Sequence, residues 1–365
     1  MQQFQVRKNN FSETRMVNAA QPGPLGSGEI RVAIERFAFT ANNITYAAAA
    51  DMVGYWQFFP ALEQEEAEKS WGVIPVWGFA KVLESNVAEV PVGERFFGYF
   101  PPADELIMEP VRVTEDRLVD GAAHRAELPP GYNLYRRVAA EPGYDGSMDN
   151  ERMLLWPLFI TSFCLWDSLV VNEWYGAQQI IVISASSKTS IGMAYALSDD
   201  ATAPSVVGLT SSRNKALVES LGLYDTTATY DDLAAIDFSK PSVIVDMSGN
   251  SDVLGQLHKA LGENMNKTVN VGITHWDAAG ENPDINAQRS EFFFAPGHIQ
   301  KRVADWGAEG FDTKSSGFVA ETVARSRSWL QLRSLSGLDS LAEIYPQVCE
   351  GSIAPDEGII ITLEA

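Results

Sequence analysis

A chain of 365 residues is too long for one compact core, and with 45% apolar and 21% charged residues it is too apolar to be disordered. Lys plus Arg number 27 against 48 Asp plus Glu, a net charge of −21, which argues against the nucleic acids and anionic membranes that need a basic footprint. The two cysteines, Cys164 and Cys349, can build neither a disulfide framework nor a four-thiolate zinc lobe, and they fit thiols in a reducing compartment.

Residues 1–8 lack the apolar run of a signal peptide, and no stretch of about 18 apolar residues is evident, so the expected location is cytoplasmic with no membrane partner. Residues 1–150 carry short β-like runs at 29–35, 76–83, 96–99 and 111–113, punctuated by Pro and Gly, which predicts a β-rich barrel-like domain. The polar, turn-rich stretch 141–150 reads as a linker or as a surface loop beside a cleft. Residues 153–174 are apolar without strand alternation and predict one buried helix or two short ones, interrupted by Asp167, Asn172 and Glu173. Four apolar strands follow at 179–184, 205–210, 242–246 and 268–273, separated by helical runs at 190–198, 212–221 and 253–261. Apolar strands alternating with amphipathic helices predict an α/β domain with a doubly wound parallel sheet covered on both faces. An edge strand is expected at 291–296, helices at 322–335 and 338–350, and a last strand at 358–364 returning to the N-terminal domain. The expected division is 1–150, 151–310 and 311–365.

Between the first parallel strand and its helix lies Ile183-Ser-Ala-Ser-Ser-Lys-Thr-Ser-Ile-Gly192. A doubly wound sheet places a pyrophosphate at this turn, on the free N–H groups of the helix N-terminus. Of the usual G-x-G-x-x-G only Gly192 is kept, with Ser187 and Thr189 at the other two places. Ser186, Ser187, Thr189 and Ser190 offer hydroxyls there, and Lys188 adds a charge. The same Ser-Lys-Thr superficially matches the end of a P-loop. Val182 stands where that motif needs its first glycine, so a nucleotide hydrolase is disfavoured. The second strand ends Gly208-Leu-Thr-Ser-Ser-Arg-Asn-Lys215, without the carboxylate that holds the ribose of NAD. Thr210, Ser211, Arg213 and Lys215 would instead welcome a 2′-phosphate, so NADP (NADPH) is the expected cofactor. Tyr230, Ser248, Gly249, Gly272, Thr274 and His275, at or beyond later strand ends, complete the expected cofactor site.

The residues 76–84 followed by Pro91-Val-Gly-Glu-Arg-Phe-Phe-Gly-Tyr99, the helix 212–222, Val245-Asp246 with Gly249, and Val271-Gly-Ile-Thr-His275 together resemble the medium-chain dehydrogenase/reductase superfamily. Within it they are similar to the zinc-free quinone oxidoreductase-like branch, and above all to the DUF2855 subgroup. That resemblance implies a Rossmann-type sheet with a GroES-like barrel and a reacting centre between the domains. It also places the segment Thr40-Ala-Asn-Asn-Ile-Thr-Tyr46 near the nicotinamide. On this reading Asn42 or Asn43 polarises a substrate carbonyl, and Tyr46 or Tyr55 donates to the developing oxyanion. No metal is expected, because no pair among the cysteines and His124, His258, His275 and His298 has ligand spacing.

The implied function is a zinc-independent NADP(H)-dependent oxidoreductase that reduces an activated carbonyl, enone or quinone. A non-catalytic dinucleotide sensor or scaffold is the alternative. Trp56, Phe58, Phe59, Trp71 and Trp77 fit a pocket for a bulky apolar substrate, a barrel core or a dimer surface, and the expected partner is a small-molecule apolar carbonyl or alkene substrate. The run Phe292-Phe293-Phe294 suggests an edge strand that pairs in a homodimer.

Overall fold

The β-like runs at 29–35, 76–83 and 96–99 form strands in the computed structural model of the chain, which describes residues 1–63, 69–271 and 282–363, whereas of the run 111–113 only Val111 is strand and Arg112 turns the backbone at φ +48°. Two compact units result, residues 1–154 with 330–365 and residues 155–329. The first unit starts with β1 (Gln2–Arg7), β2 (Asn10–Asn18), β3 (Ile30–Phe39), α1 (Ala41–Ala48), α2 (Ala50–Val53) and β4 (Trp71–Gly72). It continues through β5 (Val76–Ser85), β6 (Arg95–Phe100), β7 (Glu105–Met108), β8 (Pro110–Val111), β9 (Arg117–Asp120) and β10 (Leu134–Arg137). Strands β3, β5, β6, β10 and β9 lie side by side in one antiparallel sheet, around buried Phe37, Phe79, Phe96, Phe97, Phe100 and Tyr135. Two polar ties hold the irregular parts to this sheet. Arg125 and Asp120 form an ion pair with side chains 1% and 0% exposed, and Asp120 Oδ1 accepts from the backbone N–H of Glu109 and Ala122 at 3.1 and 3.0 Å. Arg95 pairs with Glu35 and donates to Asp149 Oδ2 at 2.8 Å and to the Tyr144 hydroxyl, so residues 141–150 are pinned to the sheet.

Helix α3 (Asp149–Val171) is one continuous helix with Pro157 inside it. Among the described residues it is the one helix long and apolar enough to cross a membrane by length and composition, although Asp167 interrupts its apolar run. Its apolar surface is spent on packing: Leu155, Phe159, Phe163, Cys164, Leu165 and Leu169 are buried.

The second unit alternates as expected: β11 (Gln179–Ile183), α4 (Lys188–Asp199), β12 (Ser205–Thr210), α5 (Lys215–Leu221), β13 (Thr226–Thr229), β14 (Ser242–Asp246), α6 (Ser251–Leu261), β15 (Met265–Val271), β16 (Ser290–Phe293) and α7 (Ala295–Ser326). The strand order is β13-β12-β11-β14-β15-β16, all parallel. Alternate residues serve opposite faces. Ile181, Ile183, Val207, Leu209 and Ile244 pack with Val253, Leu254, Leu257 and Leu261 of α6. Ile180, Val182, Val206, Val243 and Val245 pack with Leu165 and Leu169 of α3 and Met193 and Leu197 of α4. Burial on both faces is why these strands read as continuous apolar runs.

Helix α7 replaces part of the helix expected at 322–335. Its second half buries Phe311, Ser315, Val319, Thr322, Val323 and Ser326, a helical stripe in which half the positions are hydroxyl residues. Arg302 of α7 donates to both oxygens of Asp167 at 2.5 and 3.1 Å, and His298 Nε2 lies 2.6 Å from Asp167 Oδ2. Because α7 belongs with the sheet, the second unit ends at residue 329 and not at 310.

On α6, buried His258 accepts the Asn286 N–H on Nδ1 at 2.9 Å, and its Nε2 lies 2.8 Å from Thr268 Oγ1. Burial pushes its pKa down to about 4. Between that value and the ordinary 6.5 the unfolded chain binds the proton that the folded one refuses, so stability falls as pH drops through this window. Melting temperature should decline from pH 6.5 to pH 4 more steeply in the wild type than in His258→Gln; equal slopes would contradict it.

The chain then adds β17 (Gln331–Ser336), α8 (Gly337–Cys349) and β18 (Glu357–Thr362) to the first unit. Strand β18 lies between β17, parallel to it, and β3, antiparallel to it, with Ile359 opposite Phe39. Residues 331–335 are thus strand, not helix.

Candidate functional site

In the second unit the carboxyl ends of β11 and β14 are neighbours, and their following segments leave on opposite sides. This is the switch point where open α/β sheets take ligands. After β11 the backbone turns at Ser184, a non-glycine residue at φ +64°. Ser187 then caps α4: its Oγ accepts from the Ser190 N–H at 3.2 Å and donates to Ser190 Oγ at 2.8 Å. No acidic residue occupies the first turn, and the first helical residue is Lys188. A cation there opposes the helix dipole, which an anion at the same end would relieve.

A web of hydroxyls lines the crevice. Thr210 Oγ1 donates to Ser186 Oγ at 3.3 Å, Asn214 Nδ2 donates to the same oxygen at 3.0 Å, and Ser190 Oγ donates to the Met247 sulfur at 3.2 Å. The Tyr230 phenol bonds Ser184, which offsets only part of the upward pKa shift caused by burial. Thus Ser186, Ser187, Lys188, Thr189, Ser190, Thr210, Ser211 and Tyr230 belong to segments at this end of the sheet.

Other expected residues have different work. Gly192 is a packing position, since a Cβ there would come within 2.5 Å of Phe159 Cδ1 and 2.6 Å of Ser162 Oγ. Lys215 is paired with Glu219 along α5. Ser248 and Gly249 close a turn on Asp246, whose Oδ1 accepts from the Ser248 N–H, the Ser248 hydroxyl and the Gly249 N–H at 2.8, 2.7 and 3.3 Å. Gly272, Thr274 and His275 lie outside the described residues. Arg213 is exposed and makes no hydrogen bond or ion pair among the described residues, so it is available to an anionic ligand. The expectation that no carboxylate stands nearby is corrected: Ser212 Oγ donates to Asp231 Oδ2 at 3.0 Å.

In the first unit residues 41–46 of the expected segment lie in helix α1. Thr40 caps it with a reciprocal box, in which the Thr40 N–H donates to Asn43 Oδ1 at 2.8 Å. Asn43 also donates to the Pro75 carbonyl at 2.9 Å and is buried, so its amide is committed to the fold. Asn42 is half-buried and bonds the Tyr46 hydroxyl, which also accepts from Trp77 Nε1 at 3.3 Å. The Tyr55 and Tyr132 hydroxyls lie 2.9 Å apart. Burial raises both the Tyr46 and Tyr55 phenols far above the ordinary value, so both stay protonated at neutral pH. The suggested aromatic pocket is divided: Phe58 and Phe59 are core, Trp71 is stacked by Arg7 and Arg15 at 4.8 and 4.4 Å, Trp56 packs on Gly72, and Trp77 joins the tyrosines.

The sequence pattern of a family described as protein of unknown function (DUF2855) matches residues 37–354. The chain belongs to the DUF2855 family. Among curated proteins none matches it. Solved structures similar to this DUF2855 protein include CurA from Vibrio vulnificus in complex with NADPH, with 12% identity and a TM-score of 0.62 over 100% of both chains. A quinone oxidoreductase from Coxiella burnetii has 13% identity and a TM-score of 0.56 over 100% of this chain and 99% of that one. The yhdH oxidoreductase from Salmonella enterica in complex with NADP has 13% identity and a TM-score of 0.52 over 100% of both chains. The DUF2855 chain therefore has the medium-chain dehydrogenase/reductase fold, a Rossmann-type sheet with a GroES-like barrel.

Sequence reasoning missed Asn214, Met247, Asp231 and Tyr224. The Tyr224 hydroxyl donates to the Ala185 carbonyl at 2.9 Å, and its ring lies so close to Gly208 that a Cβ there would be 2.8 Å away. A glycine inside an otherwise apolar strand was the available signal for that close approach.

Proposed function

We propose that this DUF2855 protein is a zinc-independent, NADP(H)-dependent oxidoreductase acting on a small apolar carbonyl, enone or quinone. The observation that carries the reading is the β11–β14 crevice, where Lys188, the capped start of α4 and Arg213, unpaired among the described residues, offer an anion-binding end to the sheet. The solved relatives with NADPH or NADP support the choice of nucleotide. The α4 N-terminus and Lys188 would hold the pyrophosphate, and Arg213 the 2′-phosphate. Bound there, the nicotinamide supplies hydride. Tyr46, kept as a phenol and oriented by Asn42 and Trp77, would donate a hydrogen bond to the carbonyl oxygen as negative charge grows on it. The Tyr55–Tyr132 pair would serve in the same way. Zinc independence is part of the proposal: among the described residues no three His, Cys, Asp or Glu side chains are grouped as metal ligands, and burial pushes the Cys164 thiol up. A homodimer through the β16 edge, where Phe294 is 38% exposed, completes it.

The test is turnover of 4-deuterated NADPH with enones and aldehydes, in the presence and absence of a chelator. Deuterium on carbon in the product, at a rate the chelator leaves unchanged, is expected. Tight NADPH binding without turnover across the panel would point to a dinucleotide sensor, and chelator-sensitive turnover would remove zinc independence. Light scattering giving the mass of one chain would remove the dimer.

A further inference from the structure

Within the first unit, Tyr46, Tyr55, Tyr99, Tyr132, Trp77 and Phe58 form one aromatic cluster. Ring centroids are 4.7 Å apart for Tyr99 and Tyr132, 4.8 Å for Tyr46 and Tyr55, 5.2 Å for Trp77 and Tyr99, and 5.4 Å for Phe58 and Tyr99. Tyr99 is 0% exposed, and its hydroxyl has no hydrogen-bond partner among the described residues. Buried hydroxyls are almost always satisfied, and an orphan one costs stability unless something else repays it.

The proton count around it points the same way. The Tyr55 and Tyr132 hydroxyls share one bond, which uses one of their two protons. The Tyr46 oxygen already accepts from Trp77. No carboxylate bonds any of these four phenols among the described residues. Asn42 bonds the same Tyr46 hydroxyl, so among the described residues the protons left without an acceptor are that of Tyr99 and one of the Tyr55–Tyr132 pair, inside walls made of flat rings.

We propose that this cluster recognises a planar conjugated carbonyl compound, with the Tyr99 hydroxyl donating to its oxygen and the Tyr132 ring forming the movable wall; the proposal rests on the reductase reading above and names its substrate class. Such a molecule supplies the missing acceptor and offers a π-face to rings that already meet in tilted and T-shaped pairs. A carboxylate-bearing compound fits less well, since no cation bonds these hydroxyls. Tyr132 suits the role of a wall because it is half-buried and rides on the short 3-10 turn Pro130–Asn133, which has no side-chain cap and open space beside Gly131. Burial keeps the phenols in their donor form, raising the pKa of Tyr46, Tyr55, Tyr99 and Tyr132 alike.

The experiment is equilibrium binding of 2,3-dimethyl-1,4-naphthoquinone and of 2,3-dimethylnaphthalene to the full chain, read by tryptophan fluorescence. The methyl groups block addition of a thiol such as Cys349. Wild type should prefer the quinone, and Tyr99→Phe should weaken the quinone about tenfold while leaving the hydrocarbon unchanged. The same variant should bind NADPH like wild type and melt at the same temperature or higher, because it removes an orphan hydroxyl without removing the ring. Unchanged quinone affinity in Tyr99→Phe, or equal affinity of wild type for the two probes, would overturn the proposal. NADPH binding with turnover would then leave the reductase reading intact. Tyr99-dependent quinone binding without any NADPH binding would do the reverse.

Discussion

Arg213→Ala is expected to weaken NADPH about 10- to 100-fold and to leave NADH unchanged, as judged by calorimetric titration with both nucleotides. A well-aligned charge-assisted bond contributes about 1.5–3 kcal/mol, and Arg213 gives up no partner among the described residues to make one. Two further variants sharpen the assignment. Lys188→Ala should weaken both nucleotides alike, since the pyrophosphate is common to them. Asp231→Asn should tighten NADPH and not NADH, because Asp231, bonded to Ser212, is the carboxylate beside the proposed 2′-phosphate position. Equal loss of NADPH and NADH affinity in Arg213→Ala would remove the 2′-phosphate assignment.

The largest effect on stability is expected at the Asp120–Arg125 pair. Asp120→Ala leaves a guanidinium that is 1% exposed without its counter-charge, and breaking a buried pair from one side costs about 3–5 kcal/mol. It also frees the Glu109 and Ala122 N–H groups. Adding Arg125→Met should recover part of the loss, because the uncompensated charge is gone. Urea unfolding of the wild type and both variants measures this. A loss below about 1 kcal/mol for Asp120→Ala would mean that Arg125 finds another route to solvent.

The second unit was the more legible in sequence, and the reason is physical. Strands β11, β12 and β14 bury both faces, so their apolar runs end where the strands end. Strand β13, Thr-Thr-Ala-Thr, is half polar and gave no such run. Helix α7 hid behind Ser315, Thr322 and Ser326, which fill core positions of a helix stripe without being apolar. In the first unit, α1 carries no long apolar periodicity, and its sequence signal is Thr40 and Asn43 at capping-box spacing, with Asn in place of the usual acid or its amide. The candidate site was legible where one segment carries it, as in Ser186 to Ser190. It was not legible where distant segments meet. Asp231 reaches Ser212, and Tyr132 reaches Tyr55, only through the fold. Lys215 shows the converse, a cation in the right segment whose charge is met four residues along its own helix.

The pairing of Ile359 with Phe39 sets an order of events on the ribosome. Residues 155–329 form their unit from one uninterrupted stretch, whereas the other unit needs residues from both sides of it. The parallel sheet can therefore close while the second half of β3 still waits for β18, and during that interval residues 36–39, with Phe37 and Phe39, remain an unpaired edge beyond the part of β3 that β7 covers. The edge left open in that interval belongs to the unit that carries the tyrosine cluster. A nascent chain halted before β18 would have its parallel sheet complete and its barrel still open.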